Sequence, residues 1–103
     1  MQVEELFVPV PDYPRYVVSN YGRIINVKND REVTESWSDY ADGLIVILKG
    51  GYQFDAVKVC DVVASAFFVE YFQGIDIYFK NDNKRDCTVL NLTFAKPETD
   101  DNG

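Results

Sequence analysis

The chain is 103 residues long and carries 17 Asp and Glu against 10 Lys and Arg, a net charge of −7, with no histidine at all. That length suits one domain, and 47% hydrophobic with 15% aromatic residues supplies apolar area for one core, which excludes a disordered acidic tail. Without histidine there is no imidazole to act as general base or zinc ligand, and the acid excess is the wrong sign for non-specific attraction to phosphates.

Short apolar runs separated by turn residues predict a small antiparallel sheet. Leu6 to Val10 reads as a first strand, stopped by Pro11-Asp12-Tyr13-Pro14 because proline removes ladder donors, and Tyr16 to Val18 resumes it. Ser19-Asn20-Tyr21-Gly22 is a turn, since Ser and Asn bond their own backbone and Gly tolerates positive φ. Arg23 to Val27 then returns as a tight hairpin, closed by Lys28-Asn29-Asp30, and Val33 to Trp37 predicts a further strand before the polar loop Ser38 to Gly43. Leu44 to Leu48 and Phe54 to Val59 form a second hairpin about Lys49-Gly50-Gly51-Tyr52. Val62, Val63, Ala66, Phe67, Val69 and Phe72 recur at three and four, so Asp61 to Phe72 predicts one amphipathic helix, with Asp61 as N-cap or first-turn acid and Gly74 as its stop. Ile75 to Phe79, Lys80 to Asp86 and Leu90 to Phe94 follow as strand, loop and strand. The fold class is therefore α+β, small antiparallel hairpins with one main helix. A single domain is expected over residues 1–97, and 98–103 as an acidic flexible tail.

Cys60 and Cys87 are too few and too far apart for a disulfide framework or a metal site, which predicts free structural thiols in a reducing cytoplasm. Gly50-Gly51 lacks the Lys-Ser/Thr of a phosphate loop, and Asn81-Asp82-Asn83 lacks the Gly and Glu offsets of a calcium loop. The N-terminus is acidic where a signal peptide is basic, and no apolar run approaches the roughly 18 residues of a membrane span. A soluble, cytoplasmic protein with no membrane and no cofactor is the expectation.

Two stretches stand out. Residues Val8 to Ile24 read VPVPDYPRYVVSNYGRI, and Tyr16, Val18, Ser19, Asn20, Gly22 and Arg23 follow the pattern Tyr-x-Val-Ser-Asn-x-Gly-Arg, with Phe7 where a Trp is usual. This part, residues 7–27, resembles the nuclease-associated modular domain that precedes HNH endonuclease modules in phage homing enzymes. Residues 57–95 resemble the ββα-type HNH module itself: Val63, Ala64 and Phe67 match its helix, Asn83 and Lys84 its Asn-Lys pair, and Asn91-Leu92-Thr93-Phe94 its closing Asn-Leu-x-Trp.

The departures fall on the chemistry. Cys60 replaces the helix-leading His, Tyr78 stands where the resemblance places a metal-binding acid or Asn, and Phe79 where it places the general-base His. The resemblance places a last helix with a metal ligand after Phe94, and the acidic run Pro97 to Gly103 is expected to stand in its place. HNH hydrolysis needs a divalent metal and an imidazole, so the resemblance implies a degenerate module with no catalytic residue, no metal and no cofactor.

Two binding roles follow. In one, an acidic phage-derived domain inhibits a host or phage nucleic-acid-processing protein such as a defence nuclease, with Asp39, Asp42 and Asp55 imitating DNA in its basic groove. In the other, docking on duplex DNA survives through Arg15, Arg23, Lys28, Lys84 and Arg85, with Arg31 and Lys49 adding to them if the fold gathers the cations on one face. Net charge favours the first. Arg23, just past the turn, has two roles open to it: bracing the loop or facing a phosphate.

Overall fold

The structure, a computed structural model, describes residues 4–96, so the predicted tail at 98–103 lies outside the described residues. β1 (Phe7–Val10) and β2 (Tyr13–Ser19) pair antiparallel around Pro11-Asp12, where Asp12 takes a left-handed φ of 69°. The first strand stops at Pro11 as expected, but Tyr13 and Pro14, placed in the break from sequence, belong to the next strand. Pro9 lies in edge strand β1 beside a register shift, and Pro14 precedes the point where the next strand joins β2, so neither removes a ladder donor that a partner needs.

β3 (Ile24–Asn26) returns along β2 with Val18 opposite Ile24 and Tyr16 opposite Asn26, and β4 (Arg31–Glu32) completes a sheet of order β1-β2-β3-β4. The strand predicted over 33–37 is divided. Val33 donates its N–H to the Ile24 carbonyl at the end of this first sheet, while β5 (Ser36–Ser38) belongs to a second sheet, so the residues between them serve as a crossing. β5, β6 (Gly43–Gly50) and β7 (Gln53–Lys58) form that second sheet, with Trp37 opposite Leu44 and Val46 opposite Val57. Along β6, Leu44, Val46 and Leu48 are buried while Ile47 is exposed, the two-residue alternation of a strand with one face on the core.

The helix α1 (Val59–Phe67) begins and ends earlier than the sequence period suggests. Lys58 is its N-cap, Asp61 lies within the first turn, and Phe68 leaves in an extended conformation. The Phe68 ring meets Phe94 edge to face, centroids 5.2 Å apart, and that packing takes the chain out of the helix. Val69 and Phe72, which complete the helical period in the sequence, are 97% and 62% exposed, and Gly74 (φ 95°) lies in a later turn, not at the helix end.

The closing hairpin is also shorter than its apolar runs. β8 (Tyr78–Phe79) and β9 (Leu92–Thr93) pair over two residues each, preceded at β9 by a single 3-10 turn at Val89–Asn91. Asn91 substitutes for the missing ladder. Its Oδ1 accepts the Asn81 N–H, its Nδ2 donates to the Asp86 carbonyl, and its own carbonyl accepts the Lys80 N–H.

One core joins the sheets and the helix through Val18, Ile24, Val46, Leu48, Val59, Val63 and Leu92. The α+β class is the one the sequence predicts. Tyr16 reaches across it, its hydroxyl accepting the Lys49 N–H at 3.0 Å and tying the first sheet to the second. Tyr16→Phe leaves that N–H without its partner and is expected to lower unfolding free energy by about 1 kcal/mol in a urea titration. Among the described residues, no helix is long and apolar enough to cross a membrane.

Candidate nucleic-acid interface

The Ser19-Asn20-Tyr21-Gly22-Arg23 segment is built from within. Ser19 Oγ accepts the N–H groups of Tyr21 and Arg23, and Gly22 takes φ 88°, which only glycine adopts without strain. Asn20 ties the turn to both neighbours. Its Oδ1 accepts the Leu6 N–H at 2.7 Å, its Nδ2 donates to the Glu4 carbonyl at 3.1 Å, and its carbonyl accepts the Val89 N–H. A Cβ on Gly22 would stand 3.3 Å from the Cys87 carbonyl oxygen. Gly22→Ala therefore combines left-handed strain with a tight contact, and a loss of about 1–2 kcal/mol is expected by denaturant unfolding.

Arg23 braces this turn. Its Nη1 meets Glu5 at 2.7 Å, its Nε meets Glu32 at 3.2 Å, and its guanidinium lies 5.6 Å from the Phe7 ring centroid. The Glu32 and Glu5 hydrogen bonds raise its pKa further, and both its charge and its donor geometry are committed inside the protein. Lys84 donates to Asp42, and the Arg85 guanidinium stacks 4.5 Å over the Trp37 ring. Lys49 lies 5.6 Å from the Phe54 ring centroid.

Arg15, Lys28 and Arg31 are different. They form no ion pair among the described residues, and they converge on one end of the first sheet. Asn26 stands opposite Arg31, the Val27 N–H bonds the Arg15 carbonyl, and Lys28 follows in the β3–β4 turn. Asn26 Oδ1 accepts the Lys28 N–H and Asn29 Oδ1 the Arg31 N–H, so side-chain turns fix this tip. The seven cations singled out from sequence are thus not gathered on one face: three share an end of the first sheet and the rest are held elsewhere.

The three acids are also dispersed. Asp39 accepts the Trp37 indole N–H at 2.9 Å, Asp55 accepts the Tyr13 hydroxyl at 2.8 Å, and Asp42 accepts Lys84. Asp55 stands opposite Leu48, whereas Asp42 precedes Gly43 at the other end of β6, a span of about 17 Å at strand rise. Burial, followed by the Asp55 hydrogen bond, raises the Tyr13 pKa.

Cys60 and Cys87 are free and buried. Burial, then the Asp61 charge, pushes the Cys60 thiol up to about 11; burial, then the neighbouring Cys60, pushes Cys87 up to about 12. At pH 8 only about one Cys60 in a thousand is then thiolate, so both thiols should resist a thiol reagent in the native protein and react promptly in denaturant, as absorbance with a disulfide dye would show. Among the described residues, no three His, Cys, Asp or Glu side chains converge as a metal set.

Tyr78 and Phe79 are half-buried in β8 and line a cleft of about 270 Å³ together with Asp42, Lys58, Ile77, Asp82 and Lys84. A second cleft of about 340 Å³ lies between the β1–β2 turn and α1, where the Tyr71 hydroxyl donates to Asp61 at 3.0 Å. Burial and the Asp61 charge push Tyr71 up to about 12. Lys58, Trp37 and Gly43 were not singled out from sequence. Lys58 was masked by placing the helix start at Asp61, and the partners of Trp37 and Gly43 lie too far along the chain for any spacing to show.

Residues 5–50 match the NUMOD4 motif. The fold is similar to that of the HNH homing endonuclease I-HmuI, solved for its DNA binding and cleavage, with a TM-score of 0.75 and 23% identity over 84% of this chain. The chain spans half the length of that structure. No curated protein matches the sequence.

Proposed function

We propose that this chain is a duplex-DNA-binding module, a degenerate relative of phage HNH homing endonucleases that docks through the Arg15, Lys28 and Arg31 end of its first sheet and does not hydrolyse DNA by HNH chemistry. The observation that carries this reading is that end of the sheet: three cations without ion pairs among the described residues, on the segment that matches the NUMOD4 motif. The likeness in fold to an endonuclease solved for its DNA binding supports it. An inhibitory role needs the acids to form one DNA-like surface, and Asp39, Asp42 and Asp55 instead lie apart, each bonded to a side chain of the same molecule.

The non-catalytic half of the proposal stands on Phe79, which has no atom that can take a proton from water, and on Tyr78, a weak hard-metal ligand while protonated. Against a low-salt gel shift with duplex DNA, binding that weakens steeply as salt rises is expected; absence of any shift at low salt would overturn the DNA reading. Metal-dependent plasmid cleavage by pure protein would overturn the non-catalytic one.

A further inference from the structure

Lys58 is placed against the usual rule for helix ends. It is the N-cap of α1, the positive end of the helix dipole, where a cation is disfavoured, and it has no ion pair among the described residues. Its position is nonetheless accommodated by the backbone beside it. Gly43 is buried, and a Cβ there would stand 3.1 Å from Lys58 Cε and 3.8 Å from its Nζ, so the Lys58 stem passes close over this glycine. Both Lys58 and Lys84 line the 270 Å³ cleft, beside Tyr78, Phe79, Asp42 and Asp82.

Asp42 is shared between the two lysines. Lys84 hydrogen-bonds its carboxylate, Lys58 adds its charge, and together they hold its pKa below the ordinary value. The Asp42 side chain is 65% exposed, so it can turn out to water without disturbing the core. Two ammonium groups thus act on one solvent-accessible carboxylate, Lys84 by a hydrogen bond and Lys58 by its charge, with Asp82 as the second acid of the cleft.

We propose that this cleft binds a backbone phosphate of nucleic acid through Lys58 and Lys84, and that Asp42 occupies the phosphate's position in the free protein. The inference rests on the DNA-binding reading above and adds a second docking point to it. A phosphodiester carries one negative charge and two free oxygens, one for each ammonium, and it displaces Asp42 to solvent. Asp82, the other acid at the cleft, opposes any anion there and keeps the affinity of the cleft alone modest.

The test is an amide-resolved NMR titration of the full chain with a short duplex and, separately, with inorganic phosphate, repeated on Lys58→Met, Lys84→Met and Asp42→Asn. The duplex should shift the amides of Gly43, Lys58 and Lys84; each lysine variant should bind it about ten-fold more weakly at low salt, and Asp42→Asn several-fold more tightly. The opposite directions of change separate the proposal from loss of fold, which weakens every variant. Duplex binding left unchanged by all three substitutions, or weakened by Asp42→Asn, would overturn the cleft while leaving the DNA reading standing. Phosphate shifts without duplex binding would overturn both assignments to nucleic acid, and no response to either probe would do the same.

Discussion

Replacing Arg15, Lys28 and Arg31 together with alanine is expected to weaken duplex binding on the order of a thousand-fold at 50 mM salt. Each side chain that neutralises a phosphate releases about 0.9 counterion, which at that salt is worth about ten-fold in affinity. The plot of log affinity against log salt should therefore flatten by about 2.7, uniformly across DNA sequences, because these contacts position the protein without reading bases. All three residues are exposed and form no ion pair among the described residues, so the fold should not change. Lys80→Ala, exposed on the β8–β9 side, serves as the control for simple loss of charge. Equal salt slopes for the triple variant and the parent would remove the first sheet from the interface.

Leu48→Ala should have the largest effect on stability, about 3 kcal/mol. Leu48 is fully buried in the middle strand of the second sheet, packed in the core that also holds Val18 and Val63, and its truncation leaves a cavity there. Set against the 5–15 kcal/mol typical of a whole domain, that is a substantial fraction, and the urea midpoint should fall with the slope preserved. Ile47→Ala is the matched contrast. Ile47 is 51% exposed one position earlier in the same strand, so its truncation should cost no more than about 0.5 kcal/mol. Because a slip of one residue exchanges the two faces of a strand, a reversed ranking would show that the register of β6 against β7 is other than Ile47 opposite Ala56.

Wherever partners lie close in the chain, the sequence is a good guide. The Ser19–Arg23 turn forms from bonds two and four residues apart, the second hairpin from a β-branched run and a Gly-Gly turn, and both are found where their residues suggest. The helix period is right through Phe67 and misleading after it, because the fate of Phe68 is decided by Phe94. Pro14 misleads for a similar reason: whether a missing N–H matters depends on which strand sits alongside, and β3 pairs with β2 only from Tyr16 onward.

The candidate site divides the same way. Arg15, Lys28 and Lys84 were visible as cations, but nothing near them in sequence tells which are free. Asp42 neutralises Lys84 from 42 residues away, Glu5 reaches Arg23 from 18 away, and Asp55 is bonded by Tyr13 from 42 away. Composition by itself determined that no histidine is present to act as a general base. Only the tertiary structure decided which charges face water, because an ion pair depends on distance through space, and the chain brings its most distant charges together only when both sheets close on one core.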